Sequence, residues 1–145
     1  MHAAALLLAG LLALALAVAV LMLFVFAQVT GWRALARRFP SLAPPISPSL
    51  SSGGVMLGSW GWNGPPLRIG VDDDGVVLHP MSPFGVAFAD VRLPWTAIVS
   101  AGHREYLLFE VLEVRFGGGE GATIGFLPSA AARAIAERIA ARDSA

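Results

Sequence analysis

The sequence predicts an N-terminal transmembrane helix followed by a mainly-β domain of about seven antiparallel strands, capped by a C-terminal helix. Three observations carry that reading. Ala3–Val29 contains no charged residue. From Val55 onward, short apolar runs alternate with turn residues. The chain then ends in an alanine-rich, proline-free stretch with a single apolar face. Strands joined in order by short turns make an antiparallel meander, whereas a parallel sheet needs a helix between successive strands. A length of 145 residues allows one domain of ordinary size plus an accessory segment.

The first element is the anchor, residues 1–30. Only Gly10 and Gln28 interrupt the apolar run of Ala3–Val29, which as a helix spans roughly 40 Å against a hydrocarbon layer of about 30 Å. A cleaved signal peptide is the competing reading, with Val25-Phe26-Ala27 at a site a signal peptidase accepts. Against it stand a run far longer than the usual apolar core of a leader and an N-terminal flank without lysine or arginine. Arg33, Arg37 and Arg38 follow the run, while only His2 and the terminal amine precede it. Basic flanks stay on the cytoplasmic side, which predicts a single pass through the inner (plasma) membrane, N-terminus outside and domain inside.

Residues 31–39 read as a juxtamembrane amphipathic segment. Trp32, Leu35, Ala36 and Phe39 share one helical face, with Arg33, Arg37 and Arg38 mostly off it. Trp32, Arg33, Arg37 and Arg38 are therefore the candidate membrane-interface residues, the ring half wet and the guanidinium groups facing anionic lipid. Residues 40–54 hold Pro40, Pro44, Pro45 and Pro48 among five serines, without charge or periodicity, and read as an extended linker. Pro44-Pro45-Ile46-Ser47-Pro48 lacks the basic anchor of a proline-motif ligand, so a plain spacer is expected.

Residues 55–145 are the domain. Val55–Trp62 reads as a first strand, and Leu67, Ile69 and Val71 alternate with Arg68 and Gly70 in a second. Asp72-Asp73-Asp74-Gly75 turns the chain into Val76–His79; Ala87–Trp95, Ile98–Arg104, Leu107–Phe116 and Ala122–Leu127 complete the series. Ser129 is a natural cap for a helix from about Ala130 to Arg142, with Ala131, Ala132, Ile135, Ala136 and Ile139 on one face. That face is too narrow to stand alone and must pack on the sheet.

Such a layout, with Leu93-Pro94-Trp95-x-x-Ile98 as its most telling local match, resembles the pleckstrin-homology/GRAM-like group. Gly31-Trp32-Arg33-Ala34-Leu35-Ala36 after the span is similar to small bacterial single-span membrane proteins carrying such a domain. The function of those proteins is uncharacterised. The resemblance implies an open barrel of two orthogonal sheets with a helix plugging one end, and brings no residue roles with it. Phosphoinositide-binding members cluster lysine and arginine on the first hairpin; here Gly61–Arg68 offers Arg68 alone.

Little in the domain suggests chemistry. With no cysteine, disulfides, thiolate catalysis and zinc held by thiolates are excluded. Three consecutive aspartates point in different directions, so Asp72–Asp74 reads as a hairpin turn rather than a calcium loop. His79 and His103 lack the spacing of a metal pair, and no nucleophile elbow, paired carboxylate, phosphate loop or dinucleotide motif is present. No enzyme, metal or cofactor is expected. Nor is nucleic acid, given the absence of lysine and of any arginine stripe. What remains is a membrane-anchored, non-enzymatic cytoplasmic module that meets the bilayer through its first helix. It binds an unidentified protein partner or organises a membrane complex, with Trp60 and Trp62 as the candidate partner surface. A lipid-sensing or lipid-handling module is the alternative.

Composition fits this division. The net charge of zero is a cancellation between four arginines without an acid in residues 1–71 and an excess of four acids in residues 72–145. Hydrophobic residues make up 56% of the chain, but setting the anchor aside returns the remainder to roughly 47%, an ordinary globular value.

Overall fold

A run dominated by leucine, alanine and valine, broken only by Gly10 and Gln28, offers almost no polar side chain to compete for its backbone groups, and it forms α1, His2–Val29. The structure, a computed structural model, describes residues 1–41, 50–57, 62–63, 65–117 and 122–144. α1 is long and apolar enough to cross a membrane, and nearly all of its surface is uncovered by the rest of the protein. Its last two turns are the exception: Ala27 is fully buried and Leu23 half-buried against the domain core. The hydroxyl of Thr30 donates to the Phe26 carbonyl at 2.7 Å. Gly31 then turns the chain at φ 82°, a left-handed conformation that glycine adopts without penalty. The short helix α2, Trp32–Arg38, follows.

Among the described residues, nine strand segments make two antiparallel sheets. The first contains β1 (Leu50–Gly53), β4 (Leu67–Val71), β5 (Gly75–Pro80) and β6 (Val91–Pro94), in the order β1-β4-β5-β6. The second contains β2 (Val55–Leu57), β9 (Ala122–Phe126), β8 (Phe109–Phe116) and β7 (Ile98–Tyr106), in the order β2-β9-β8-β7. The two-residue strand β3, Trp62–Asn63, extends this sheet on the outer side of β2. β1 and β2 are two arms of one bent strand that passes from one sheet to the other at Gly53-Gly54. A side chain there would lie 2.6 Å from Ile69 Cδ1 or from Leu127 Cδ1, respectively. Between β6 and β7 the sheets part, and they do not close.

The free edge of β6 is taken by the segment leaving α2. Arg92 N–H donates to the Phe39 carbonyl at 3.0 Å, Pro40 bridges Val91, and the Phe39 ring meets Phe116 of β8 edge-on at 6.2 Å. The core runs from Leu35 and Trp32 through Ile69, Leu78, Leu93, Val114 and Phe126 to Ile135. The predicted C-terminal helix is present as α3, Ala130–Asp143, with the Ser129 hydroxyl accepting from Ala132 N–H at 3.1 Å. Its Ala131, Ala132, Ile135 and Ile139 face is buried, and the helix packs on β1 and β4.

Several boundaries differ from the sequence reading. Leu50–Gly53 is strand within the stretch read as linker; 42–49 lie outside the described residues. Ala87–Asp90 is not strand, because the Ala87 and Phe88 N–H groups both donate back to the Phe84 carbonyl, at 3.1 and 3.0 Å, and are spent on a turn rather than on a ladder. Instead Phe84–Val86 forms a 3₁₀ turn that brings Phe88 onto Trp32. Trp95–Ala97 is a second such turn, at the parting of the sheets. β7 runs two residues further than expected, and the register Tyr106↔Phe109 puts the reversal at Leu107-Leu108, where the sequence reading placed the start of a strand.

Candidate interaction site on the β7–β8 hairpin

β7 is the edge strand of its sheet and, after Ile98, is exposed along nearly its whole length. A long exposed edge invites pairing with another chain unless charge or irregularity blunts it. Here both do so: the register shifts between Ile98 and Ser100, and His103-Arg104-Glu105 place charge in the centre. Two diagonal cross-strand pairs hold this part, His103 Nδ1 with Glu110 at 3.2 Å and Arg104 with Glu113 at 3.5 Å. Glu105 stands directly opposite Glu110, a repulsive placement, and the Glu110 carboxylate makes its close contact with His103 on the diagonal instead.

The tip is not protected in this way. Leu107 is 85% exposed and Leu108 100%, next to the tilted ring pair of Tyr106 and Phe109 at 5.9 Å. Two-residue hairpin loops favour asparagine and glycine, because a central residue takes positive φ. Leu107 adopts φ 53° all the same, a conformation that costs a non-glycine residue about 1–2 kcal/mol. Backbone strain and apolar exposure thus coincide at one turn. The sequence signal was present but unread: Tyr106–Phe109 are four large apolar residues in a row, more than a half-buried strand needs.

Below the tip, the inner face of the hairpin and the first half of α3 enclose a cleft of about 470 Å³. Leu112, Phe126, Ala132 and Ala136 line its apolar part, with the His103–Glu110 pair and Arg133 among its polar walls. Ser129 also borders it, but its hydroxyl oxygen is engaged in capping α3. Among the described residues, no hydrogen bond joins a serine to a histidine and no group of three metal-ligating side chains occurs.

The other sequence candidates are distributed as follows. Trp32 is fully buried: its indole N–H donates to the Ala89 carbonyl at 2.8 Å and its ring meets Phe88 edge-on at 5.8 Å. The half-wet ring expected in the headgroup layer is therefore a core ring. A helical stripe of apolar residues does not name the medium it faces, and here the domain supplies it. Arg33 and Arg37 are exposed, while the Arg38 guanidinium lies over the Phe39 ring at 5.6 Å. Trp60 falls outside the described residues, and Trp62 contributes backbone to β3.

Asp72–Asp74 forms the turn between β4 and β5. Asp72 Oδ1 accepts from the N–H groups of Asp74 and Gly75 at 2.9 Å, its carboxylate pairs with Arg92 at 3.0 Å, and its carbonyl accepts from the Trp95 indole. Burial pushes the Asp72 carboxyl up, but the Gly75 and Asp74 N–H groups and Arg92 outweigh it and hold the pKa below the ordinary value. Asp73 reaches Arg138 at 3.2 Å, and Arg142 donates to the Trp95 carbonyl, tying the end of α3 to this corner. His79 pairs with Asp90 at 2.8 Å.

Comparison with protein-family models, with curated proteins and with solved structures gave no match.

Proposed function

We propose that this chain is a membrane-anchored, non-enzymatic module that docks a protein partner through the tip of the β7–β8 hairpin, with its domain on the cytoplasmic side. The observation that carries this reading is the Leu107-Leu108 turn, apolar, exposed and strained at once. Strain kept at a surface turn against the usual turn chemistry points to use rather than to folding, and an apolar tip is a contact surface. An anchor rather than a leader is supported by Leu23 and Ala27, which a cut before Gln28 would remove from the core. A pleckstrin-homology-like open barrel is supported by the strand shared at Gly53-Gly54, the parting between β6 and β7 and the C-terminal helix on β1 and β4.

The test is capture of the full chain, tagged at its C-terminus, from native membranes. Proteins recovered with the wild type should be lost with Leu107→Asn/Leu108→Asn while the yield of folded chain is kept. The same proteins recovered with both would refute the hairpin as the docking surface. Lipid handling, the second reading, has one observation in its favour. The α3 cleft combines an apolar lining with Arg133, a fit for an acyl chain bearing an anionic head. A lipid enriched over bulk membrane with the wild type and lost in Ala132→Trp would support it.

A further inference from the structure

We infer that α2 is clamped between the domain and the bilayer, its Arg33–Arg37 face bound to anionic phospholipid headgroups. The inference rests on α1 being a membrane span. Ala3–Met22, about 20 residues, already crosses a hydrocarbon layer of about 30 Å. Leu23–Val29 is left over, about 10 Å of helix against an interfacial layer of roughly 5–8 Å on each side. This surplus is the stretch that the domain packs against, through Leu23 and Ala27. The domain therefore sits beside the end of the span, at headgroup level, rather than hanging on a spacer.

α2 continues from that point after the single turn at Thr30-Gly31. Trp32, Leu35 and Phe39 face the domain, so the opposite side of the helix, with Arg33, Ala34 and Arg37, faces away from it and is exposed. Arg33 and Arg37 are one helical turn apart on one flank. Asp90, the carboxylate beside the Ala89 carbonyl that receives Trp32, is paired with His79, and among the described residues no carboxylate pairs with Arg33 or Arg37. The partner that fits two fixed guanidinium groups held at a bilayer surface is a layer of anionic phosphodiester headgroups.

The chain has no cysteine, so single spin labels can be placed without background. Full-length Ala34→Cys and, for comparison, Leu108→Cys are reconstituted in nanodiscs of phosphatidylcholine with or without 30% phosphatidylglycerol. Nickel chelated to a lipid headgroup should relax the label at 34 strongly, while the label at 108 reports the height of the hairpin tip. Spin-labelled phosphatidylglycerol should be enriched over phosphatidylcholine around the protein by up to about fivefold per exposed arginine. That enrichment should vanish in Arg33→Gln/Arg37→Gln and at 1 M salt, where the screening length is about 3 Å. A label at 34 that headgroup nickel leaves unrelaxed, or enrichment that survives the double substitution, overturns the clamp while leaving the anchor in place. A native chain whose mass shows that it begins at Gln28 overturns both.

Discussion

Replacing Trp32 should destabilise the β domain, although the residue precedes the described strands and follows α1 by one turn. Its ring is fully buried, meets Phe88 edge-on at 5.8 Å, and donates one hydrogen bond of 2.8 Å to Ala89. Truncation of such a ring to alanine costs about 3–5 kcal/mol. Trp32→Phe keeps most of the packing and loses the hydrogen bond, about 1 kcal/mol, at the low end because water reaches the exposed Ala89. Against a total of about 5–15 kcal/mol for a domain, the alanine variant removes a large share and the phenylalanine variant a small one. Circular dichroism would miss this, since α1 stays helical in a lipid environment. Hydrogen exchange of the β6 and β8 amides in the full-length chain reads it directly. Tenfold in exchange corresponds to about 1.4 kcal/mol, so Trp32→Ala should accelerate exchange roughly a thousandfold and Trp32→Phe about fivefold. Protection within twofold of the wild type in both variants would refute the integration of α2 into the folded unit.

Ile135 is fully buried under α3, so Ile135→Ala should lower stability by about 2–5 kcal/mol in a urea titration read by the same exchange. A methyl group at Gly75 would stand 2.1 Å from the Leu93 carbonyl oxygen, a backbone atom no rotamer change can clear; Gly75→Ala should cost about 1–3 kcal/mol or more and disturb the β5–β6 register seen by NMR. The lowered Asp72 pKa means that its charge stabilises the fold above an ordinary value of about 3.9, and that this contribution fades as pH falls through the lower folded-state value. Asp72→Asn should therefore flatten the acid limb of the urea midpoint below the ordinary carboxylate value, modestly, because the group is partly solvated. Leu107→Asn should raise stability by about 0.5–1 kcal/mol, since asparagine tolerates the left-handed region better, while weakening partner docking.

Elements whose identity rests on composition or on a local cap were legible in the sequence: α1, α3 from Ala130 onward, and the Asp72–Gly75 turn. Each is decided by residues adjacent in the chain. What escaped was decided by distant residues. The strand expected over Ala87–Trp95 starts only at Val91, because Phe88 is drawn onto Trp32, 56 positions earlier. The turn at Leu107-Leu108 carries no turn residue at all; its position follows from the pairing of Tyr106 with Phe109. Period-2 alternation marks where a strand can lie, and the partner strand's register decides where it ends. At the candidate site the run Tyr106–Phe109 marks the apolar patch in the sequence, but not the turn, since leucine at positive φ departs from ordinary turn chemistry.

The apolar stripe of Trp32, Leu35, Ala36 and Phe39 shows how far periodicity reaches. The spacing gives a helix with one greasy face, and a lipid surface or a protein core would satisfy that face equally. Which of the two takes it reverses the mechanical consequence. Were lipid to hold the stripe, the domain would hang on the proline-rich segment and sample many orientations. With the domain holding it, through the Trp32 hydrogen bond, the Phe39–Phe116 contact and the Pro40–Val91 bridge, the anchor and the domain turn together. If α1 spans the bilayer as proposed, the β7–β8 tip is held at a fixed height and azimuth relative to it, and a partner in the same membrane would meet Leu107 and Leu108 without the orientational search that lowers ordinary association rates.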